Sequence, residues 1–311
     1  MVLLIEDAQE AMENKLLYIM ETLTHYVDFE TTIHSLGYLI VSLLLFIVGK
    51  LLFKVTNKDM VINHEVVEKD NLAFIVSYVG YFVAIVIILI ASISGKSHGF
   101  ITDIGYIVTY SSLGMLLLQV SVRFTNKLVL PKFCIKKEII EDQNVGTGLI
   151  EAAVYIGNGL ILYSSLVGES ESFLEGLFTF IVYWAIGNVM LIISSIFFLK
   201  WTPYDIHDEI EKDNVAAGTA FSGAIIAICI VILNALIDPF DTWLTTFMDL
   251  GVYGIVGILL LPLVRKSCDK ILLVERSLTQ EICQQEVPNL GAGLLEAFSY
   301  IGSAILITWT F

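Results

Sequence analysis

Two glutamates lie inside long apolar stretches of the sequence, where a charged side chain is costly. Glu151 follows Asn144 by seven positions, and Glu296 follows Asn289 by seven positions. At a helical rise of about 1.5 Å per residue, each carboxyl group lies about 10 Å inside its helix. A charge at that depth of a bilayer needs water or a protein partner, so the pair predicts a site that carries protons or monovalent cations. Alternatively, each glutamate is a neutral acid that donates one hydrogen bond between packed helices.

A polar stripe accompanies each glutamate. Side chains four and seven positions further along a helix lie on the same face. These positions hold Tyr155 and Asn158 after Glu151, and Tyr300 and Ser303 after Glu296. The two stripes predict a wetted path between the two helices. The tyrosines alone are also typical of interface anchors and core fillers.

Two aspartates near the ends of other apolar stretches form a second candidate set. Asp103 and Asp249 are each followed by a glycine two positions on. One interpretation is an outer ring of carboxylates that attracts cations at the mouth of a pathway. The other is a pair of solvated helix ends, where the helix dipole favours a negative charge.

The elements that position these residues are membrane helices. The chain has 311 residues, of which 56% are hydrophobic and only 16% charged, and its mean hydropathy is +0.80. Eight continuous apolar runs are long enough to span about 30 Å of hydrocarbon, which takes about 20 residues each. They lie at 32–54, 72–94, 101–122, 145–168, 177–199, 215–237, 243–265 and 290–311. These runs do not alternate as barrel strands do, so we expect an all-α integral membrane protein with eight transmembrane helices.

Several classes of protein are excluded by composition and motifs. The net charge of −15 offers no basic surface for nucleic acid. The four cysteines show no Cys-x-x-Cys spacing, and the five histidines are scattered, so neither a disulfide framework nor a metal site is predicted. No nucleotide-binding or hydrolase motif occurs. We therefore expect no enzyme activity, cofactor or metal.

The basic residues predict the orientation of the chain. Fifteen of the seventeen lysines and arginines lie in or beside the longer connections between runs. The positive-inside rule then places these connections in the cytoplasm and both termini outside. Residues 1–31 lack the basic first segment of a signal peptide and carry Glu6, Asp7, Glu10 and Glu13 instead. Their apolar residues come at helical spacing, which predicts an amphipathic helix on the outer surface.

Internal repetition organises the chain into four helical hairpins. An asparagine precedes the second run of each hairpin, with separations of 73, 70 and 75 residues: Asn71, Asn144, Asn214 and Asn289. Each is predicted to be the N-cap of the returning helix. Only the second and fourth hairpins carry the glutamate, which predicts that the chain is a tandem duplication of a four-helix unit. The two units are 32–168 and 177–311, and an outer linker, 169–176, joins them. An even number of spans per unit predicts a pseudo-twofold axis along the membrane normal, with the second helices of the hairpins around it.

One segment resembles a known family. The run 201–223, and within it Thr202-Pro203 and 213–218, is similar to the central signature of the YjfL-like bacterial membrane proteins, domain of unknown function 350. The resemblance implies two family units in tandem and a location in the bacterial inner membrane. The resemblance implies no particular biochemical activity. Family genes often neighbour those of phage-shock-type membrane-binding proteins, which implies a role in envelope maintenance under stress.

Two functions follow from these observations. The first is a channel or transporter for protons or monovalent cations that uses the glutamate pair, with the aspartates at its outer mouth. The alternative is a membrane scaffold that docks a cytoplasmic membrane-stress partner on amphipathic connections bearing Ile135, Ile139, Ile206 and Ile210. Small-residue faces also make a homodimer a possible assembly.

Overall fold

The computed structural model describes residues 12, 15–16, 29–58, 60–131, 134–167, 172–238, 242–271 and 276–310, with the side chains of 256–262 and 268–269 left aside. All regular secondary structure in these ranges is helical. Most of the predicted outer arm, 1–31, lies outside the described residues. So do 168–171, which include the first part of the predicted linker.

Eight helices of at least 21 residues dominate the described part of the chain. They are α1 Phe29–Thr56, α2 Leu72–Ile93, α3 Phe100–Val129, α4 Val145–Leu166, α5 Phe173–Trp201, α6 Val215–Leu236, α7 Trp243–Ile271 and α8 Leu290–Thr310. Seven of them, all except α7, are long and apolar enough by their described residues to cross a membrane. The described residues of four connections, 57–58, 60–71, 130–131, 134–144, 202–214 and 276–289, lie at one end of the bundle, which we call the connection face. The opposite end, with the described residues of the short links, 94–99, 167, 172, 237–238 and 242, is the loop face.

The helix boundaries differ from the predicted units at two points. Helix α1 begins at Phe29, inside the predicted arm, and α5 begins at Phe173, inside the predicted linker. Ser172 starts α5 because its Oγ accepts a hydrogen bond from the Glu175 N–H at 3.3 Å. The odd-numbered helices have 28 to 30 residues, whereas the even-numbered ones have 21 or 22. At about 1.5 Å per residue the odd-numbered helices exceed the hydrocarbon thickness, so they must tilt or project from it.

The even-numbered helices pack in a row. The most extensive contacts run from α2 to α4, from α4 to α6 and from α6 to α8. Glycines allow these approaches, because a Cβ added at any of three positions would stand 2.4 to 2.5 Å from backbone atoms of the preceding helix. The pairs are Gly148 with Ala73, Gly218 with Gly146, and Gly293 with Ala216. Helices α4 and α6 are thus the most buried, but the expectation that all four second helices are innermost is wrong, because α8 at the end of the row is less buried than α5. The second helices succeed one another in a line and do not surround a central axis.

Each connection is locked to its neighbour by an asparagine. Asn71 Oδ1 accepts from the Phe74 N–H at 3.1 Å, which caps α2. Its Nδ2 donates at 2.8 Å both to Glu65 Oε2 and to the Ile139 carbonyl of the next connection. We call this arrangement the asparagine clasp. The same three bonds recur at Asn144, with Thr147, Glu138 and Ile210, and at Asn214, with Ala217, Glu209 and Ile282.

The fourth asparagine has a smaller set of partners. Asn289 Oδ1 accepts from the Ala292 N–H at 3.3 Å, and its Nδ2 donates to Glu281 Oε2 at 2.9 Å. Its Nδ2 forms no bond to the backbone of another connection within the described part of the chain. Asn289 is accordingly exposed, whereas the other three asparagines are buried.

The connections turn their isoleucines inward. Ile139, Ile206 and Ile210 are at most 2% exposed, and Ile135 is half-buried. The prediction that these residues project toward a partner is wrong, because they pack against the helix ends instead. The scaffold alternative therefore loses the surface on which it depended.

Candidate functional site

Glu151 lies in the interior of the first unit. It is 7% exposed on α4, and its Oε2 accepts a hydrogen bond from Asn126 Nδ2 of α3 at 2.8 Å. Among the described residues it has no ion-pair partner. The cap at Asn144 determines where α4 begins and therefore how deep this carboxyl group lies.

Helices α3 and α5 add buried polar side chains that the sequence reasoning missed. Ser121 of α3 accepts a 2.7 Å hydrogen bond from Trp184 Nε1 of α5. Thr125 is 1% exposed, Asn188 7% and Ser195 0%. A signal for the α5 residues was present, because Trp184, Asn188 and Ser195 follow one another at helical spacings of four and seven residues.

Several buried polar side-chain atoms have no hydrogen-bond partner among the described residues. They include Thr125 Oγ1, Asn158 Oδ1, Asn188 Oδ1 and Ser195 Oγ. An unsatisfied buried polar group costs about 1–3 kcal/mol, and a cavity water is the usual remedy. Thr125 belongs to α3, Asn158 to α4, and Asn188 and Ser195 to α5, three helices that contact one another in pairs.

The predicted stripe on α4 is only partly polar in its contacts. Tyr155 is 5% exposed and packs edge-on against Tyr81 of α2, with ring centroids 5.3 Å apart. It is thus a core residue. Asn158 Nδ2 donates to the Val154 carbonyl at 2.8 Å, which leaves its Oδ1 available.

Glu296 occupies a different environment in the second unit. It is fully buried, and its Oε1 accepts from Arg265 Nε and from Tyr300 Oη, each at 2.8 Å. Arg265 in turn donates to Thr279 Oγ1 at 2.9 Å and lies over the Tyr204 ring, 5.6 Å from its centroid. This ion pair ties α7, α8 and the last connection together.

The two glutamates therefore do not form a common site. Helix α6 packs against both α4 and α8, and each carboxyl group bonds to its own neighbour from an odd-numbered helix. The expectation that both face one axis is wrong, because the even-numbered helices form a row. Ser303, the last member of the predicted second stripe, is half-buried.

The aspartates also differ from each other. Asp103 is 9% exposed and accepts three hydrogen bonds, from Tyr38 Oη at 2.8 Å, Ser97 Oγ at 2.6 Å and the His98 N–H at 2.8 Å. Asp249 is exposed, and no described residue bonds to its carboxylate. Asp103 borders a cavity of about 900 Å³ at the loop face, between the ends of α1, α3 and α5. Of the two aspartates, Asp103 is therefore the one that is buried, hydrogen-bonded and beside a cavity.

The glutamates that bond to the clasp asparagines on the connection face differ in pKa. Burial favours the neutral form of Glu65, but bonds from Lys69 and Asn71 outweigh it and hold its pKa below the ordinary value. Burial dominates at Glu138 and raises its pKa.

Within the described ranges, no group of three His, Cys, Asp or Glu side chains is arranged to hold a metal ion.

These features define an all-helical protein that crosses the lipid bilayer several times and is built of two tandem units. The family model described as Domain of Unknown Function (DUF350) matches residues 26–166 and again 172–311, and the chain belongs to this family. A relative from Aquifex aeolicus, a UPF0719 transmembrane protein, is 24% identical over 250 residues, covering 80% of this chain and 89% of that protein. No solved structure matches the chain.

Proposed function

We propose that this protein conducts protons or monovalent cations across the bacterial inner membrane, along a path beside α3 and α4 of its first unit and α5 of its second. The observation that carries the proposal is the buried Glu151 carboxyl group, which bonds to an uncharged amide, and buried polar atoms on the same three helices without partners among the described residues support it. Ordered water on these atoms supplies the hydrogen-bonded chain along which a proton moves or a small cation is solvated.

Glu151 is the charge-bearing group of the proposed path. An amide is its hydrogen-bond partner, so it is not neutralised by a fixed cation. A carboxyl group in that setting exchanges a proton or binds a small cation. The cavity beside Asp103 lies at the loop face, between helix ends of the first unit and α5 of the second, and serves as the entrance.

Glu296 has a structural role in this scheme. Arg265 neutralises it within hydrogen-bond distance, so a moving cation meets no free negative charge there. The glutamate of the second unit then supports the fold, and the protein has one pathway.

The proposal includes a topology of eight spans in four hairpins, with the connection face in the cytoplasm and both termini outside. The concentration of lysines and arginines in and beside the connections supports it. In a variant without the native cysteines, Ser172→Cys should react with an impermeant thiol reagent added outside intact cells. Labelling of this position only from the cytoplasm refutes the topology.

The flux experiment uses purified protein in liposomes with an imposed proton or potassium gradient. We expect wild-type flux well above that of empty liposomes, and Glu151→Gln should reduce it at least about tenfold, as expected for loss of an intramembrane charge-bearing group. Gln keeps the size and hydrogen bonding of the neutral acid, so the protein should remain folded. Glu211→Gln is the matched control, because it removes an exposed carboxylate from the connection face.

Two results contradict the proposal. One is flux by a folded Glu151→Gln variant equal to that of the wild type. The other is no flux by the wild type under either gradient. Circular dichroism and thermal unfolding establish whether each variant is folded before flux is compared. The double change of Glu151 and Glu296 to Gln tests the original pair hypothesis, which requires both carboxyl groups for flux.

A further inference from the structure

The cavity at the loop face contains an anionic group held in place by neutral donors. A phenol, a hydroxyl and a backbone N–H bond to the Asp103 carboxylate. No described residue forms an ion pair with it. Lys96 and His98 also line the cavity, but neither forms an ion pair with the Asp103 carboxylate, whose charge is oriented by hydrogen bonds.

Aromatic rings form much of the cavity wall. Tyr106 lies three positions after Asp103 on the same face of α3, and Tyr110 lies one turn further on. Phe173 of α5 stacks on Tyr106, with ring centroids 5.3 Å apart, and lies 5.7 Å from Tyr110. All of these residues line the cavity with Asp103 and Tyr183.

We propose that this cavity binds an ammonium group. A carboxylate beside aromatic faces is the arrangement that recognises organic cations, because ring quadrupoles and the fixed negative charge attract the same ligand. The acidic balance of the chain, with 32 acidic and 17 basic residues, adds a favourable field. An anionic ligand would meet the Asp103 charge, and a neutral one would leave that charge unbalanced.

The ammonium group has two sources in a cell. One is a soluble amine, and the other is the ethanolamine headgroup of a membrane lipid, which reaches the loop face from the adjacent leaflet. Both present the same chemistry to Asp103 and the rings. This inference goes beyond the proposed conduction, because equilibrium binding is measured without any flux.

Calorimetric titration of choline into the protein in phosphatidylglycerol nanodiscs tests the proposal. We expect saturable binding, and no comparable binding of 3,3-dimethyl-1-butanol, which replaces the charged nitrogen of choline by carbon. Asp103→Asn should weaken choline binding about tenfold or more, as expected for loss of a charged partner. Asp249→Asn is the matched control and should leave the affinity unchanged, because Asp249 is exposed and outside the cavity.

A second variant guards against misfolding of Asp103→Asn. Tyr106→Leu leaves the three hydrogen bonds of Asp103 in place and should weaken choline binding about three- to fivefold, as expected for loss of one aromatic face. Repeating the titration in nanodiscs with added phosphatidylethanolamine distinguishes the sources. A weaker apparent affinity identifies the lipid headgroup as a competitor, and an unchanged affinity identifies soluble amines as the ligands.

The proposal is overturned if choline does not bind saturably in the millimolar range. Equal binding of the neutral analogue also overturns it, since the cavity would then be only an apolar void. Equal affinities of the wild type and both cavity variants place any binding elsewhere. Glu151→Gln should bind choline normally, so failure of conduction and failure of binding are separate outcomes.

Discussion

Replacing Asn214 by alanine tests whether the asparagine clasp holds neighbouring connections together. Asn214 caps α6 through its Oδ1 and donates to Glu209 Oε2 and to the Ile282 carbonyl, each at 2.8 Å. The last bond joins segments that are 68 positions apart in sequence. Asn289→Ala is the matched control, because Asn289 has the cap and the glutamate bond but no bond to a further connection.

The size of the effect follows from these bonds. Loss of an N-cap side chain costs about 1 kcal/mol. Ile282 is fully buried, so its stranded carbonyl adds about 1–3 kcal/mol. With the lost bond to Glu209, Asn214→Ala should lower the free energy of unfolding by about 3–5 kcal/mol, whereas Asn289→Ala should cost about 1–2 kcal/mol.

Equilibrium unfolding in mixed micelles, with added SDS as the denaturant and helix content as the signal, measures the difference. Asn214→Asp is a further probe. It keeps the capping oxygen but loses both amide donations, and at neutral pH it sets a second carboxylate beside Glu209. We expect it to be at least as unstable as Asn214→Ala. Equal destabilisation by Asn214→Ala and Asn289→Ala would refute the reasoning, because the bond to the next connection would then contribute nothing.

Three further predictions concern stability, each measured by the same unfolding assay. Gly218→Ala should lower the free energy of unfolding by about 2 kcal/mol, because the added Cβ would lie 2.5 Å from the Gly146 Cα. Gly105→Ala is the control and should be neutral or stabilising, because open space surrounds Gly105. A larger loss of stability in Gly105→Ala than in Gly218→Ala would contradict the packing. Arg265→Met should cost about 3–5 kcal/mol by leaving Glu296 buried without its cation, and adding Glu296→Met should recover much of that loss; no recovery would argue against an ion-pair origin. Because the folded-state pKa of Glu65 lies below its ordinary value, its contribution is present above the unfolded pKa and is lost as the pH falls through the folded pKa. Glu65→Gln should therefore flatten the acid side of the stability profile, and an unchanged profile would contradict this assignment.

Much of the architecture is readable from local features. Apolar runs of about 20 residues have to become helices in a bilayer, because only a helix satisfies the backbone hydrogen bonds within one segment. The sequence predicts the four asparagines as caps, because an N-cap needs only a side-chain acceptor and a backbone N–H three positions further along the chain. In the structure all four accept the corresponding N–H. The depth of Glu151 and Glu296 along their helices follows equally from their distance to the helix start.

The partners of these residues depend on the packing of distant segments. Glu151 and Glu296 lie in nearly the same local sequence, Glu-Ala-x-x-Tyr-Ile-Gly, yet one bonds to an asparagine and the other to an arginine from a different helix. No periodicity within α4 or α8 distinguishes the two, because the charge that neutralises Glu296 comes from Arg265, 31 positions away. The row of even-numbered helices likewise arises from the close contacts of glycines with neighbouring backbones. Short-range rules thus account for the helices, their caps and the depth of each carboxyl group. Which of those groups is free to bind a cation depends on the side chains that neighbouring helices bring to it.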